Sequence, residues 1–428
     1  MKVPEIRIRR IGMIVFIIMN TGLLIARDIL QISFPKEVFI VIEALFMLIA
    51  DANEMIEMLC FLFPLMCGLP ASYIMPVAMV LYIAKRRSLN RLQLLGILVF
   101  SSLEVLAFIR YKGAYYNELI GYISHISVFF LMLFDEEIDS KKCIQYFVIG
   151  TTVCLSIIML VSFTHTSPDW IDLLSKGWFR IGRYYTDEGM HITLNSNTVS
   201  FYSAIAIMLA ISLLATTRRM KILNIICICI LSVAALFALS RTWFIVIAVF
   251  LLSLCWKKKK SIRSFAVMVC AVLLTFLIGF IILSKFPALY KGLVARFTKQ
   301  DGTNDRRVEL VFLYLSALLE HPVSFIGGAG VINPNEILGI SDSLSMHTSV
   351  VQLFVCYGIF GFIVFMFLWG KAITKRYNDG KENGYQKSVQ IATFLGCILY
   401  SLTVQMINPY YNMFPYLMAT LSLSLQKE

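Results

Sequence analysis

Charged residues are scarce in this chain of 428 residues: Asp, Glu, Lys and Arg together make up 15% of it, whereas 59% is hydrophobic. Soluble domains carry about 25% charged and roughly 45–50% apolar residues. A soluble fold of this size has nowhere to place so much apolar surface, because burial reaches only about 75% even at roughly 300 residues. The shortage of charge therefore excludes soluble and disordered classes and predicts a polytopic membrane protein.

The chain also lacks the residue patterns of disulfide scaffolds, metal sites and nucleotide-binding loops. None of its ten cysteines falls in the two long polar stretches, 165–197 and 285–346, and no Cys-x-x-Cys, Cys/His metal spacing or Gly-Lys-Ser/Thr loop occurs. Without loop cysteines, no extracellular disulfide framework is indicated. The sequence predicts no metal site and no cofactor.

A net charge of +12 leaves acidic residues in the minority. The basic residues lie mostly in short segments between apolar runs, as the positive-inside rule describes. The charge therefore predicts membrane orientation and no nucleic-acid partner.

Apolar runs are long enough to cross a bilayer, which needs roughly 20 residues per helix. They predict spans at Ile11–Leu30, Leu92–Ile109, Leu119–Phe134, Ile144–Phe163, Thr198–Ala215, Ile222–Leu239, Trp243–Trp256, Phe265–Leu283, Thr348–Trp369, Val389–Met406 and Asn412–Leu425. The stretch Val38–Ala84 is different, because the acids Asp51, Glu54 and Glu57 and three prolines interrupt it.

The basic connectors 85–91, 218–221, 257–263 and 371–376 are expected in the cytoplasm. The basic N-terminus is then also inside, which requires an odd number of crossings within Val38–Ala84. Three short spans satisfy this, as does one span with a re-entrant or surface segment. We expect an all-α polytopic integral membrane protein with about 12 to 14 transmembrane helices and both termini cytoplasmic.

This topology places two long loops outside the membrane. The predicted organisation is N-terminal transmembrane helices (1–164), a first external loop (165–197), transmembrane helices (198–284), a large external loop with an amphipathic helix (285–346) and C-terminal transmembrane helices (347–428). Long loops are uncommon unless they are functional, so the chemistry is expected there and at the adjoining helix ends.

The second loop begins with six basic residues against two acidic ones between Lys285 and Arg307. External loops normally avoid such an excess of positive charge, so the excess indicates that this loop binds an anionic ligand. The next segment, DRRVELVFLYLSALLEHP, predicts an amphipathic helix capped by Asn304 or Asp305 and ended by His321-Pro322. Its predicted apolar stripe is Val308, Val311, Phe312, Leu315, Leu318 and Leu319. Arg306 and Arg307 lie in the first turn, where a bound pyrophosphate would offset their repulsion from the helix dipole. An exposed Arg pair beside Asp305 is the alternative.

Further candidates lie at the external ends of predicted spans. Arg241 (LSRTWF) begins a span, and a snorkelling interfacial arginine is the alternative interpretation. Arg180 and Arg183 (WFRIGRYY) have aromatic neighbours, which suits sugar or lipid-phosphate contact, whereas Asn197 (LNSNTVSF) is also explained by helix capping. His347 precedes an apolar helix beside the basic loop. The Gly-rich SFIGGAGVINPN is interpreted as a tight turn.

Four segments, taken in their order along the chain, resemble the bacterial O-antigen polymerase and O-antigen ligase family (Wzy/WaaL type) over roughly residues 190 to 370. They are LNSNTVSFYSAIAI, LSRTWFIVI, DRRVELVFLYLSALLEHPVSFIGGAG and MHTSVVQLFVCYGIFGFIVF. In that family an Arg-initiated amphipathic segment leads to Pro, a Gly-x-Gly turn and a His-started span. The family's catalytic residues correspond to Arg241, Arg307 (with Arg306 as the competing register) and His347. Asn usually follows that His, whereas Thr348 does so here.

The resemblance implies a GT-C-like membrane glycosyltransferase in the bacterial cytoplasmic (inner) membrane. The implied reaction transfers glycan from undecaprenyl diphosphate to an acceptor hydroxyl, with inversion and without metal; no Asp-x-Asp occurs in the external loops. Arg296, Arg306, Arg180, Arg183 and Asn197 are then expected to help bind the lipid-linked oligosaccharide. Membrane lipid, a chain-length regulator and a flippase are the implied partners.

We expect a polymerase of O-antigen, capsule or exopolysaccharide repeat units. The nearest alternative is a ligase that moves glycan onto lipid A-core or another acceptor. A lipid-linked oligosaccharide flippase is a different class; it predicts repeated halves and a charged cavity, whereas no repeat is evident and the main charges inside predicted spans are Glu43 and Glu104.

Overall fold

Most of the apolar runs form helices in the computed structural model. The structure describes residues 3–111, 116–164, 169–182, 192, 194–216, 220–257, 284–298, 303–341, 348–380, 384–406 and 410–426, with the backbone alone for 3–10, 255–257, 303–307, 385 and 410. All regular secondary structure within these ranges is helical. The helices are α1 (Val3–Asp28), α2 (Lys36–Ile49), α3 (Ala52–Leu62), α4 (Ala71–Arg86), α5 (Arg91–Tyr111), α6 (Tyr116–Leu133), α7 (Ser140–Thr164), α8 (Trp170–Ser175), α9 (Ser196–Thr216), α10 (Lys221–Ala238), α11 (Arg241–Lys257), α12 (Pro287–Thr298), α13 (Thr303–Glu320), α14 (Pro322–Gly327), α15 (Pro334–Ile337), α16 (Ser349–Asp379), α17 (Tyr385–Tyr400) and α18 (Met413–Ser422).

Seven helices in the described ranges are long and apolar enough to cross a membrane: α1, α5, α6, α7, α9, α10 and α16. Helix α11 adds a shorter apolar stretch, Arg241–Leu254. The predicted class, an all-α polytopic membrane protein, is thereby confirmed. The predicted span Phe265–Leu283 lies outside the described residues, and the full count of spans stays a prediction.

The stretch Val38–Ala84 forms three short helices, α2, α3 and α4. This number agrees with the predicted arrangement of three short segments. Asp51 separates the first two, because its side chain accepts from the Glu54 N–H (2.9 Å) while the Glu54 carboxylate accepts from the Asp51 N–H (3.0 Å). Pro64 lies in a 3₁₀ turn after α3, and Pro70 precedes α4. How many of the three cross the membrane stays a prediction.

The C-terminal helices are shorter than hydropathy alone predicts. Helix α17 ends at Tyr400, and α18 has only ten residues, all of them buried. Helix α18 packs against α6, α7, α9, α16 and α17, and the Phe414 ring stacks on that of Phe63 with centroids 3.5 Å apart. Hydropathy cannot distinguish an apolar segment that faces lipid from one that fills the protein interior, and the predicted span Asn412–Leu425 is of the second kind.

The amphipathic helix of the second loop forms, with two corrections. It begins at Thr303, so Asn304 and Asp305 lie inside its first turn and do not cap it, while it ends before His321 as predicted. Its buried face is formed by Leu310, Tyr314, Ala317 and Leu318, which pack against α16 and the Gly-rich segment. Three residues of the predicted stripe, Val308, Phe312 and Leu319, are exposed instead. The predicted stripe faced the wrong way around the helix because it left out Tyr314, which is buried.

At the opposite end of the bundle, an ionic network joins four helices. Asp135, after α6, accepts from Arg86 Nε of α4 at 2.8 Å and contacts the Tyr82 hydroxyl, while its backbone oxygen accepts from Arg376 Nη2 of α16 at 2.7 Å. Arg86 Nη2 also donates to Asn53 of α3 at 2.7 Å. Beside this network, Lys375 pairs with Glu136.

Candidate functional site

Several of the predicted site residues lie where α9, α10 and α11 meet at one end of the bundle. Asn197 is in the first turn of α9, and Arg241 is the first residue of α11. The turn between α10 and α11 is tight because Leu239 adopts a left-handed conformation (φ 49°). Helices α8 and α12 pack together at the same end.

Arg180 is buried and ties the segment after α8 to this turn. Its Nε donates to Ala238 O at 2.8 Å, and its Nη2 donates to Asn197 Oδ1 at 3.2 Å. The adjacent Ile181 N–H donates to Phe237 O at 3.3 Å. Arg180 therefore joins the start of α9 to the end of α10, three residues before Arg241.

Arg296 reaches the same region from α12. A Cβ on Gly177 would lie 3.4 Å from Arg296 Cγ and Cδ and 3.2 Å from Gly292 O, so only glycine (φ 71°) allows this approach. The ring of Phe297, the next residue, contacts the ring of Phe244 in the first turn of α11, with centroids 5.9 Å apart. The segments that carry Arg180, Arg241 and Arg296 are thus neighbours at this end of the bundle, and we call the three residues the arginine cluster.

The start of α16, which follows position 347, is anchored at the same end of the bundle. Ser349 N donates to Ser401 O at 2.7 Å, and the Ser349 hydroxyl donates to Val404 O at 2.5 Å. The neighbouring Tyr400 hydroxyl donates to Ser200 O at 3.2 Å, one turn after Asn197. His347 lies outside the described residues, but the chain enters α16 on the side of the arginine cluster.

Arg306 and Arg307 lie on the first two turns of α13, with their side chains outside the description. Four residues separate α12 from α13, so the Cα atoms of Thr298 and Thr303 are at most about 19 Å apart. Arg183 lies outside the described residues.

Sequence reasoning missed the two glycines that bring α8 and α12 together. A Cβ on Gly292 would overlap Leu174 O, as one on Gly177 would crowd Gly292 O. A glycine in an apolar segment does not by itself show which backbone approaches it. The closeness of Arg180 to Asn197 was likewise invisible, since 17 positions separate them.

The arginine cluster has the chemistry of an anion site. Guanidinium groups are permanently charged and match the paired oxygens of phosphate groups. Arg241 and Arg296 are half-buried, which leaves them less screened than a fully solvated charge would be. Arg180 has less capacity to bind an anion, because at least two of its N–H groups already donate hydrogen bonds to oxygen atoms of the protein.

Comparison of the chain with models of known protein families gives no match, and no curated protein matches it. The similarity to the O-antigen polymerase and ligase family therefore rests on the quoted motifs alone.

Proposed function

We propose that this chain is a membrane glycosyltransferase that polymerises glycan repeat units carried on a polyprenyl diphosphate. The observation that carries the proposal is that the segments bearing Arg180, Arg241 and Arg296 are neighbours at one end of a polytopic helical bundle. The order of motifs from residue 190 to residue 370 adds to it. We assign the diphosphate to Arg241 and Arg296, joined by Arg307.

The proposed step forms one bond and breaks one. The acceptor hydroxyl oxygen attacks the anomeric carbon of the donor sugar, and the bond between that carbon and the diphosphate oxygen breaks. The diphosphate leaves with the bonding electron pair, and the arginines stabilise the charge that develops on it. The proton of the hydroxyl passes to His347, whose ordinary pKa near 6.5 suits a general base.

Arg241 offers the sharpest test. We expect purified protein to convert lipid-diphosphate-linked repeat units from the native membrane into a ladder of products, and Arg241→Ala to lose at least about 100-fold in rate. Arg241→Lys should rescue poorly, because an ammonium group cannot make the bidentate contact. Arg91→Ala is the matched control, since Arg91 also begins a helix but at the other end of the bundle.

The products distinguish the alternatives. A ligase would transfer one glycan to an added acceptor without making a ladder, and a flippase would move the donor across vesicles without forming a glycosidic bond. An unchanged ladder in Arg241→Ala, or equal losses in Arg91→Ala, would contradict the proposed role of the arginine cluster. Loss of activity in Arg306→Ala together with full activity in Arg307→Ala would move the register by one residue.

A further inference from the structure

Two cysteine side chains from distant parts of the chain lie in contact inside the bundle. Cys67 ends the 3₁₀ turn Phe63–Cys67 that follows α3, and Cys154 lies in the middle of α7. Their sulfur atoms are 3.7 Å apart, although 87 positions separate the two residues. The sequence does not show this pair, because each cysteine falls in a different apolar run.

The packing of α3 against α7 brings the two thiols together. Gly150 of α7 has no side chain, and a Cβ there would overlap Phe61 O, so the end of α3 lies directly on α7. One turn further along α7, the Cys154 thiol donates to Pro64 O at 3.0 Å, and the Cys67 thiol donates to the same oxygen at 3.4 Å. This shared acceptor directs both sulfur atoms to one point.

The two thiols differ in exposure. Six of the eight cysteines whose side chains the structure describes are buried, Cys154 among them, whereas Cys67 is partly exposed. A small permeant reagent can therefore reach Cys67, and Cys154 is the buried neighbour that can displace it. Cysteines that respond to oxidants are typically accessible and adjacent to a second, resolving cysteine.

A disulfide between the two residues requires only a small movement. A disulfide bond is about 2.05 Å long, so the sulfur atoms must approach each other by less than about 2 Å. Rotation about χ1 of Cys67 moves its sulfur atom, since this residue ends the turn and Gly68 follows it. A structural zinc ion needs four ligands, whereas the described residues contain no cluster of three or more Cys, His, Asp and Glu side chains. The pair therefore suits redox chemistry better than zinc binding.

We propose that Cys67 and Cys154 form a redox-sensitive pair that closes to a disulfide when a small external disulfide oxidises it. The Cys67 thiolate attacks one sulfur of the external disulfide, forms a mixed disulfide and releases the first thiolate. The Cys154 sulfur then attacks the Cys67 sulfur and releases the second thiolate. Each released thiolate takes up the proton that one cysteine loses. Two electrons and two protons thus pass from the pair to the external disulfide, which becomes two thiols.

The new bond would fasten the 3₁₀ turn to α7 at a point where the turn supports other segments. The Phe63 ring stacks on that of Phe414 in buried α18. A Cβ on Gly68 would lie 2.8 Å from Ile192 Cβ, and Ile192 lies just before α9. The bond also joins residues 87 positions apart and so restricts the unfolded chain. Oxidation is therefore expected to stabilise the fold.

Peptide mapping tests the bond directly and needs no enzymatic activity. The purified full-length protein is treated with 2-hydroxyethyl disulfide, its remaining thiols are alkylated after denaturation, and its proteolytic fragments are analysed by mass spectrometry without reduction. We expect a fragment that joins Cys67 to Cys154 and that dithiothreitol separates. If both cysteines are recovered alkylated, or if Cys67 carries only a mixed disulfide with the reagent, the pair does not close and the proposal is wrong.

Thermal stability provides an independent measurement. The oxidised wild-type protein should have a Tm at least about 2 °C above that of the reduced protein, and Cys67→Ala and Cys154→Ala should lose this difference. Cys143→Ala is the matched control and should keep it, because Cys143 is also a buried cysteine of α7 but lies about 16 Å along the helix from Cys154. If the wild type gains no stability on oxidation, or if Cys67→Ala gains as much as the wild type, the proposed stabilising bond is wrong. Should Cys154→Ala fail to fold, Cys67→Ala, which removes a partly exposed side chain, provides the comparison.

Discussion

Arg180 Nη2 donates to Asn197 Oδ1 at 3.2 Å and thereby joins the segment after α8 to the first turn of α9. The same guanidinium holds the last carbonyl group of α10. Both residues were predicted as ligands of the substrate. Their mutual contact gives them a second role, which is to fix the turn that presents Arg241.

This pair predicts coupled stability effects. Arg180→Ala and Asn197→Ala should each lower the free energy of unfolding, and the double variant should lose less than the sum, with a coupling of about 0.5–3 kcal/mol. Tm values of the four proteins in one detergent measure it. Lys176→Ala is the control, because Lys176 forms an exposed pair with Asp172 (2.6 Å) and such pairs contribute at most about 1 kcal/mol. Strict additivity would show that Arg180 and Asn197 act separately.

His347 is predicted to be the general base. His347→Gln can keep a hydrogen bond but cannot take up the proton, so its turnover should fall about 10²–10⁴-fold. Donor binding should stay close to that of the wild type. Rate measurements across pH, with His321→Gln as the control histidine, check this. Near-normal rates in His347→Gln would remove the residue from the mechanism.

Gly358 is predicted to be irreplaceable for the fold. An alanine there would be strained by the positive φ, and its Cβ would overlap the backbone of Ile326 and Gly328; we expect a loss of several kcal/mol. Gly339→Ala has the strain (φ 66°) without the overlap, and Gly370→Ala in the same helix has neither. The Tm should therefore fall most in Gly358→Ala, less in Gly339→Ala and not at all in Gly370→Ala.

The predicted topology places α15 outside the cell and the turn between α4 and α5 inside. Cysteines at the exposed positions Glu336 and Ser88 should report this, in a background where exposed Cys229 is replaced by Ser. An impermeant maleimide added to intact cells should label position 336 and not position 88. The reverse pattern would overturn both the orientation and the proposed outer-face chemistry.

The pair of Lys375 and Glu136 predicts a small pH dependence. The hydrogen bond and charge of Lys375 lower the pKa of Glu136 below its ordinary value of 4.5. A carboxyl group of this kind stabilises the fold above its unfolded-state pKa and stops doing so as the pH falls through the lower folded-state value. Because both side chains are exposed, Glu136→Gln should lower the Tm by at most about 2 °C at pH 7, and this difference should shrink as the pH falls below 4.5. In a Lys375→Met background the difference at pH 7 should be smaller, because only the weaker attraction of Arg376 then remains.

Composition and apolar periodicity predicted the helical membrane class because both depend only on local sequence. The end of α13 at His321-Pro322 was predictable for the same reason. The buried face of α13 was not predictable in this way. A tyrosine such as Tyr314 can be buried only where its hydroxyl group has a partner, here Asn335, and the local sequence does not show that partner. The burial of Glu104 beside Gly330 depends on segments more than 200 residues apart. The break in α16 at Gly358 depends on a neighbouring segment, residues 326–328, that lies outside the helix itself. No spacing within one segment reveals either feature.

The burial of α18 has a consequence for biogenesis. During translation α6, α7 and α9 leave the ribosome long before residues 413–422 do, yet these helices pack against α18. They must therefore wait in the bilayer with an unfilled centre until α18 arrives between them. A premature stop before residue 413 would leave that centre open, and membrane quality-control proteases would receive an inserted but unpacked protein.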